Sequence, residues 1–172
     1  EAVRTVTGGQ VFMVDILDER LALGSAHYDQ VTAINAARED PVARIMEATG
    51  GNGVDIAFEA VGHAEEIPGG INPVRGCVQT IRGAGTVCVL GLGNEPSPVV
   101  FKELIWKEGR IVTSRVSHGE FSETIDHLSR GQLKPEAMIT GKLPASRTQH
   151  GFEMLEADPG KNLKILLDLQ AP

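Results

Sequence analysis

A chain of 172 residues with 41% hydrophobic residues is long enough to bury one sizeable core. Its 16 Lys and Arg are outnumbered by 23 Asp and Glu, and the net charge of -7 disfavours nucleic acid and anionic membranes as partners. No apolar run approaches the roughly 20 residues of a membrane span, and residues 1–30 show no signal-peptide pattern. We therefore expect a single cytoplasmic domain that binds neither nucleic acid nor membrane.

Short apolar runs along the chain predict buried strands, because their apolar residues are continuous rather than alternating with polar ones. The predicted strands are 11–15, 31–35, 54–62, 85–93 and 110–114, with a last strand within 162–169. Strands of this kind are expected to be covered on both faces.

Helix signals fill the segments between these strands. Asp40 is a predicted N-cap before Pro41 at the first helical position, and Gly50 with Gly51 should end that helix. Further helices are predicted in 120–131 and in 146–160 with Ser146 as the cap, and a loop is predicted in 24–30.

Strands that alternate with helices predict a three-layer α/β fold, namely a Rossmann-like, doubly wound parallel sheet with helices on both faces. In this class ligands bind beyond the carboxyl ends of the strands. The functional residues should therefore follow the strands rather than precede them.

Asp15 stands at the carboxyl end of the first predicted strand. In dinucleotide-binding folds a carboxylate here accepts hydrogen bonds from the adenosine ribose, and its charge favours NAD over NADP. Arg20, one helical turn further, is placed to reach the same ribose or a phosphate. Alternatively, Asp15 caps a helix that begins near Leu17, and Arg20 belongs to a solvated face.

The glycine-rich turn that accompanies such an acid is missing from the sequence. A G-x-G-x-x-G turn should lie about 20 residues before the acid, which puts its first glycine upstream of residue 1. Gly8 and Gly9 directly precede the strand and are predicted to end a helix. We expect the first strand of the fold to be missing together with this turn.

The order of motifs carries a specific resemblance. The motifs are VFMVDILDERL, GGNGVDIAFEAVGH, GAGTVCVLGLG, KEGRIVTS, MITGKLPASRTQHGFEML and NLKILLDL. Together they resemble the cofactor domain of the medium-chain dehydrogenase/reductase family, and the chain is most similar to its zinc-type alcohol, polyol and threonine dehydrogenases. The resemblance covers nearly all of the chain. It implies that residues 1–172 form a partial NAD-binding Rossmann domain, without the GroES-like catalytic domain that holds the zinc.

The function implied by this resemblance is hydride transfer between a primary or secondary alcohol, or a polyol, and the nicotinamide of NAD. The 172 residues alone are then expected to be inactive. One alternative is a zinc-free, NADPH-dependent quinone reductase of the same family. Others are a non-catalytic nucleotide-sensing Rossmann domain and a methyltransferase, although the reversed strand hairpin that usually ends a methyltransferase is not found.

The resemblance also implies a set of cofactor contacts, with Asp15 and Arg20 at the adenosine ribose. The further implied contacts are Val61 and Gly62 on the adenine and ribose side, Leu90, Gly91 and Leu92 beside the nicotinamide, Ser114, Arg115 and Val116 near the carboxamide, and Lys164 facing a phosphate. His63 is interpreted as a polar loop residue near the cofactor rather than as a catalyst. The glycines have an alternative interpretation as ordinary turn residues, and Lys164 as an ordinary exposed lysine.

No metal site and no catalytic residue is expected within this segment. Cys77 and Cys88 have no neighbouring histidine, and His118 and His127 have no companion at ligand spacing. The two cysteines are predicted to be reduced thiols. Zinc is expected only in the absent catalytic domain.

Two acids in the third predicted strand allow two interpretations. Asp55 and Glu59 could form a general acid/base pair, but burial of the strand favours Glu59 as a structural carboxylate.

The strand near 110–116 could be a sheet edge through which a homodimer forms. Trp106, which lies just before it, would then be near the interface; alternatively it is a core residue covered within the chain.

Overall fold

The fold was obtained as a computed structural model, which describes residue 3 and residues 8–27, 30–62, 72–114 and 117–171. These residues form two compact units, one within 1–33 and 119–172 and the other within 34–118. The predicted contacts His63, Arg115 and Val116 lie outside the described residues. Within the described ranges, no helix has both the length and the apolar character needed to cross a bilayer.

Helices and strands alternate along the described chain, as predicted. In chain order they are β1 (Val11–Asp15), α1 (Asp18–His27), β2 (Val31–Asn35), α2 (Pro41–Ala48), β3 (Val54–Glu59), α3 (Pro73–Thr80), β4 (Ile81–Val89), α4 (Phe101–Trp106), β5 (Arg110–Thr113), α5 (Glu120–Ser129), β6 (Ile139–Pro144), α6 (Thr148–Ala157) and β7 (Lys164–Asp168). Short 3₁₀ turns flank β6 at Pro135–Met138 and Ala145–Arg147.

The strands of the described residues form three hydrogen-bonded sheets. Strands β3, β4 and β5 form a parallel sheet in that order, β6 and β7 form a parallel pair, and β1 pairs with β2. Parallel strands joined by helices confirm the Rossmann-like α/β class.

The core of the second unit lies where α3 meets its sheet. Val78, Ile81 and Val87 are completely buried there. Strand β5, at the edge of this sheet, is exposed at all four of its residues. The prediction that every strand is covered on both faces is therefore wrong for β5. Trp106 is 79% exposed, so its interpretation as a covered core residue is also wrong.

Helix α2 begins and ends as predicted. The side chain of Asp40 accepts hydrogen bonds from the N–H groups of Val42 and Ala43, and Pro41 occupies the first helical position. Gly50 and Gly51 follow the helix with positive φ angles of 60° and 82°. Local chemistry alone decides these ends, because capping atoms and the αL conformation are properties of a few adjacent residues.

Two local predictions are wrong. Helix α1 continues to His27, although residues 24–30 were predicted as a loop. A Cβ atom at Gly24 would overlap the sulfur of Met13 in β1, so this glycine allows the helix to approach the strand closely. Helix α6 begins at Thr148 rather than at a Ser146 cap, because Ser146 lies within the preceding 3₁₀ turn.

Candidate functional site

The carboxylate of Asp15 closes β1 and caps the turn that follows it. Its Oδ1 accepts hydrogen bonds from the N–H groups of Ile16 at 2.7 Å and Leu17 at 3.0 Å. Its Oδ2 lies 3.8 Å from Nη1 of Arg20. This capping of the turn between β1 and α1 differs from the predicted helix cap, because α1 begins only at Asp18. It is compatible with a ligand role, because capping occupies only one of the two carboxylate oxygens.

Arg20 is held in place by one hydrogen bond and one ion-pair contact rather than lying on a freely solvated face. Besides its contact with Asp15, its Nε donates a hydrogen bond to the carbonyl of Pro159 at 3.2 Å. The guanidinium thereby links α1 to the turn after α6, within the same unit. Because guanidinium carries five N–H donors, these contacts leave donors for a further acceptor.

Lys164 lies at the opposite end of its strand from the expected ligand side. It is the exposed first residue of β7, and its N–H donates to Oγ1 of Thr140 at 3.4 Å. Ligands of parallel sheets bind beyond the carboxyl ends of strands, and Lys164 stands at the amino end. Its phosphate-facing role stays a prediction.

The second group of predicted contacts follows two neighbouring parallel strands of the other unit. Val61 and Gly62 lie just beyond β3, and the stretch 90–92 lies just beyond β4. Both segments were predicted as parts of strands, but β3 ends at Glu59 and β4 at Val89. Since Glu59 and Val89 are register partners, the two loops leave the same edge of the sheet side by side.

Glu59 explains why both strands end there. It is 3% exposed, and its Oε1 accepts hydrogen bonds from the N–H groups of Val61 at 2.7 Å and Gly62 at 2.9 Å. Its main-chain carbonyl accepts from the N–H groups of Leu90 at 2.7 Å and Gly91 at 3.1 Å. Sequence reasoning identified Glu59 as a structural carboxylate but missed its place in the site. The available signal was an acid in an apolar strand directly before the A-V-G motif.

Glycine is required where these two loops touch. Gly62 has a φ of 75°, and a Cβ atom on it would lie 2.5 Å from the nitrogen of Leu92. A Cβ atom on Gly91 would lie 2.6 Å from Oε2 of Glu59 and would overlap the nitrogen of Gly62. The loops are thus in main-chain contact, and their glycines do more than supply ordinary turns.

The outer surface of these loops is apolar. Val61, Leu90 and Leu92 are exposed, Leu92 by 75%. Ser114 is also exposed, and its N–H donates to the carbonyl of Val89 at 3.1 Å, which places it beside the end of β4. Exposed aliphatic side chains at the carboxyl ends of neighbouring strands provide an apolar wall of the kind found in small-molecule sites.

Asp55 and Glu59 do not form an acid/base pair. Strands rise about 3.3 Å per residue, so four residues along β3 separate these carboxylates by roughly 13 Å. Asp55 is exposed and accepts a hydrogen bond from Nε of Arg82 at 2.7 Å. This hydrogen bond and the positive charge of Arg82 lower the pKa of Asp55. The acid/base interpretation is wrong.

The described residues do not fit a zinc ion. Within 8–27, 30–62, 72–114 and 117–171, no three His, Cys, Asp or Glu residues come close enough together to hold a metal. We therefore derive no metal-assisted step from this chain. Cys77 and Cys88 are both free thiols.

Cys77 should be protected from alkylation in the folded chain. Burial, followed by the negative charge of Glu59, raises the pKa of this thiol to about 12 from 9.0. Since only the thiolate reacts, iodoacetamide at pH 9 should label Cys77 at least about 100-fold more slowly in the folded than in the urea-unfolded chain. Between pH 9 and 12 the unfolded thiol ionises first, so this group lowers stability as pH rises. Peptide mass spectrometry measures both rates, and equal rates would contradict the burial.

Comparison with known protein families assigns the chain to one family. A family model described as zinc-binding dehydrogenase matches residues 3–130, which is more than half of the sequence. The chain belongs to the zinc-binding dehydrogenase family. The resemblance to zinc-type medium-chain dehydrogenases is thereby confirmed.

Curated relatives of this zinc-binding dehydrogenase chain include proteins described as alcohol dehydrogenase-like and as a putative polyol reductase. An uncharacterized zinc-type alcohol dehydrogenase-like protein of Haemophilus influenzae is 28% identical over 162 residues, which cover 92% of this chain and 44% of the relative. A putative D-xylulose reductase of Rhizobium meliloti is 26% identical over an alignment that covers 99% of this chain and 47% of the relative. The chain thus spans less than half the length of these relatives.

Solved structures agree on the fold. The alcohol dehydrogenase TADH from Thermus sp. ATN1 superposes with a TM-score of 0.80 at 26% identity, over 92% of this chain and 43% of that one. A protein of Escherichia coli CFT073 described as a short chain alcohol dehydrogenase (RspB), solved with NADH, superposes with a TM-score of 0.82 at 24% identity, over 98% of this chain and 47% of that one. These neighbours confirm the Rossmann-like fold of this zinc-binding dehydrogenase chain.

Proposed function

We propose that residues 1–172 form the cofactor-binding Rossmann domain of an NAD-dependent alcohol or polyol dehydrogenase. The observation that carries the proposal is the arrangement of Asp15, whose carboxylate closes β1 with Oδ1 occupied by capping and Oδ2 directed towards Arg20. The family match and the names of the relatives support an oxidoreductase.

In this proposal each group of residues has a separate task. Asp15 accepts hydrogen bonds from the adenosine ribose, and Arg20 donates to the ribose or a phosphate. The exposed Val61, Leu90 and Leu92 provide apolar contact for the rings of the nucleotide. NAD, when bound, accepts the hydride from the carbon that bears the alcohol. This chain binds and orients the nucleotide, while the substrate contacts belong to the remainder of the protein.

The remaining contacts complete the proposed site. They are Gly62 and Gly91 as points of close main-chain approach, His63 near the nucleotide, and Ser114, Arg115 and Val116 near the carboxamide. For its proposed phosphate contact, the side chain of Lys164 would have to reach from the amino end of β7. We further propose that the whole protein forms a homodimer through the edge near 110–116. The exposure of β5 and of Trp106 supports this assembly, because an uncovered strand edge is suited to pairing with a second copy.

Asp15→Asn should weaken NADH binding and remove the preference for NADH over NADPH. Asparagine keeps an oxygen that can accept from the N–H groups of Ile16 and Leu17, so the turn is retained while the negative charge is lost. Since hydrogen bonds to charged groups are worth about 1.5–3 kcal/mol, we expect the Kd for NADH to rise about 10- to 100-fold. Titration calorimetry with both nucleotides measures the effect.

Asp18→Asn is the matched control, because Asp18 carries the same charge change on the exposed first turn of α1. It should leave both affinities nearly unchanged. Equal or tighter binding of NADPH by the unaltered chain would contradict the proposal and favour an NADPH-dependent quinone reductase. NADH binding by the whole protein without oxidation of any alcohol or polyol would favour a nucleotide-sensing domain.

A further inference from the structure

Glu59 is a buried carboxylate at the edge of the sheet where ligands are expected. It is the last residue of β3 and only 3% exposed. Removing a carboxylate from water is costly unless hydrogen bonds compensate for the lost hydration. At this position the compensation comes from main-chain N–H groups, so the fold of the surrounding loop is tied to the side chain.

The hydrogen bonds of Glu59 extend into two different loops. Its side chain binds the N–H groups of Val61 and Gly62, at 2.7 and 2.9 Å. Its main-chain carbonyl binds the N–H groups of Leu90 and Gly91, at 2.7 and 3.1 Å. One residue therefore fixes the main chain beyond β3 and beyond β4 at the same time.

The two loops are also in close van der Waals contact with each other. A Cβ atom at Gly91 would lie 2.6 Å from Oε2 of Glu59 and 2.5 Å from Cα of Gly62. A Cβ atom at Gly62 would lie 2.5 to 2.9 Å from main-chain atoms of Leu92. With no room for even a methyl group between them, the two loops cannot move independently without losing contact.

The resulting arrangement separates charge from apolar surface. The carboxylate lies inside, beneath the glycines, while the side chains of Val61, Leu90 and Leu92 are exposed on the outside. Because the two loops are already held in place, binding of a ligand carries a smaller entropic cost for ordering them.

We propose that Glu59 is a positioning residue for the bound nucleotide, because it holds the loops at 61–62 and 90–91 as one preformed wall. This inference rests on the proposed function, since the wall is assigned to NAD. Glu59 itself need not touch the nucleotide, and it acts through the main chain of the residues that do.

The test compares Glu59→Gln and Glu59→Ala with the unaltered chain and with Glu95→Gln. Glu95 is exposed in the segment after β4, so its variant carries the same charge change at a site other than the buried carboxylate. Amide hydrogen exchange, followed by NMR without nucleotide, reports on the N–H groups of Val61, Gly62, Leu90 and Gly91. Calorimetry then measures the Kd for NADH.

Charged acceptors form hydrogen bonds about twice as strong as neutral ones, so Glu59→Gln should speed exchange about tenfold and raise the Kd for NADH about tenfold. Glu59→Ala should have larger effects on both, and Glu95→Gln should change neither. The decisive readout is exchange at Leu90 and Gly91, whose acceptor is the main-chain carbonyl that both variants retain. A purely local structural role would leave these two amides at their original rates.

Two outcomes overturn the inference alone. One is faster exchange at Val61 and Gly62 without any change at Leu90 and Gly91, because the loops then do not act as one. The other is an unchanged Kd for NADH in Glu59→Gln while the unaltered chain binds. If the unaltered chain does not bind NADH at all, the proposed function fails and the nucleotide role of Glu59 fails with it.

Discussion

Gly62→Ala should destabilise the chain by about 2–5 kcal/mol and abolish detectable NADH binding. A φ of 75° costs an alanine about 1–2 kcal/mol. The added Cβ would lie 2.5 Å from the nitrogen of Leu92, and such overpacking costs about 1–3 kcal/mol more. Because the obstacle is main chain rather than a flexible side chain, it is relieved only when the loops move apart. Urea unfolding followed by circular dichroism measures the change in free energy.

Gly51→Ala is the matched control for this substitution. Gly51 has a similar φ of 82°, but nothing lies within 4 Å of the position that its Cβ would occupy. This variant should therefore lose only the backbone term of about 1–2 kcal/mol and retain nucleotide binding. If Gly62→Ala costs no more than Gly51→Ala, the close contact between the two loops is contradicted.

Lys107→Met should destabilise the second unit by about 2–4 kcal/mol, because it removes three hydrogen bonds to main-chain carbonyls. The Nζ of Lys107 donates to the carbonyls of Val78 at 3.0 Å, Gln79 at 2.6 Å and Ile81 at 2.7 Å. These carbonyls lie at the carboxyl end of α3, where the last turn of a helix has no internal partners and the dipole favours a cation. Methionine retains the apolar part of the side chain.

Burial lowers the pKa of Lys107, and the negative charge of Glu103 partly opposes this shift. The ammonium is therefore partly desolvated, and the three carbonyls replace its lost water. Lys102→Met is the control, because Lys102 is exposed on α4, the helix that ends just before Lys107. We expect it to change the free energy of unfolding by less than about 0.5 kcal/mol. Equal effects of the two variants would show that the carbonyl contacts do not stabilise α3.

The elements that local sequence specifies were predicted closely. Strands β1 and β2 have the bounds that their apolar runs indicate, and α2 begins and ends at its predicted signals. Capping oxygens, proline and positive-φ glycines act over a few residues, so no distant contact is needed to recognise them. The family resemblance, carried by the order of several motifs, was likewise readable from the chain.

Predictions of helix and strand bounds were wrong where a residue takes part in a contact with a segment distant in sequence, or where its side chain takes hydrogen bonds from nearby main chain. Gly24 looked like a turn residue, but it lies within α1 where the helix meets Met13. The strand predicted through 62 stops at Glu59, because its side chain captures N–H groups that could otherwise join a ladder. Nothing in the local pattern says which of several possible partners such a group will choose.

For the candidate site, too, some features follow from the local sequence and others from tertiary contacts. The sequence by itself determined the class of fold, the strand ends at which binding residues should be sought, and the acid at Asp15, since these follow from periodicity and residue type. Only the tertiary structure decided that Arg20 is fixed to Pro159 and that Glu59 joins two loops. The physical reason is that long-range hydrogen bonds and close main-chain contacts depend on which distant segments are neighbours in the folded chain. Local periodicity does not specify those neighbours.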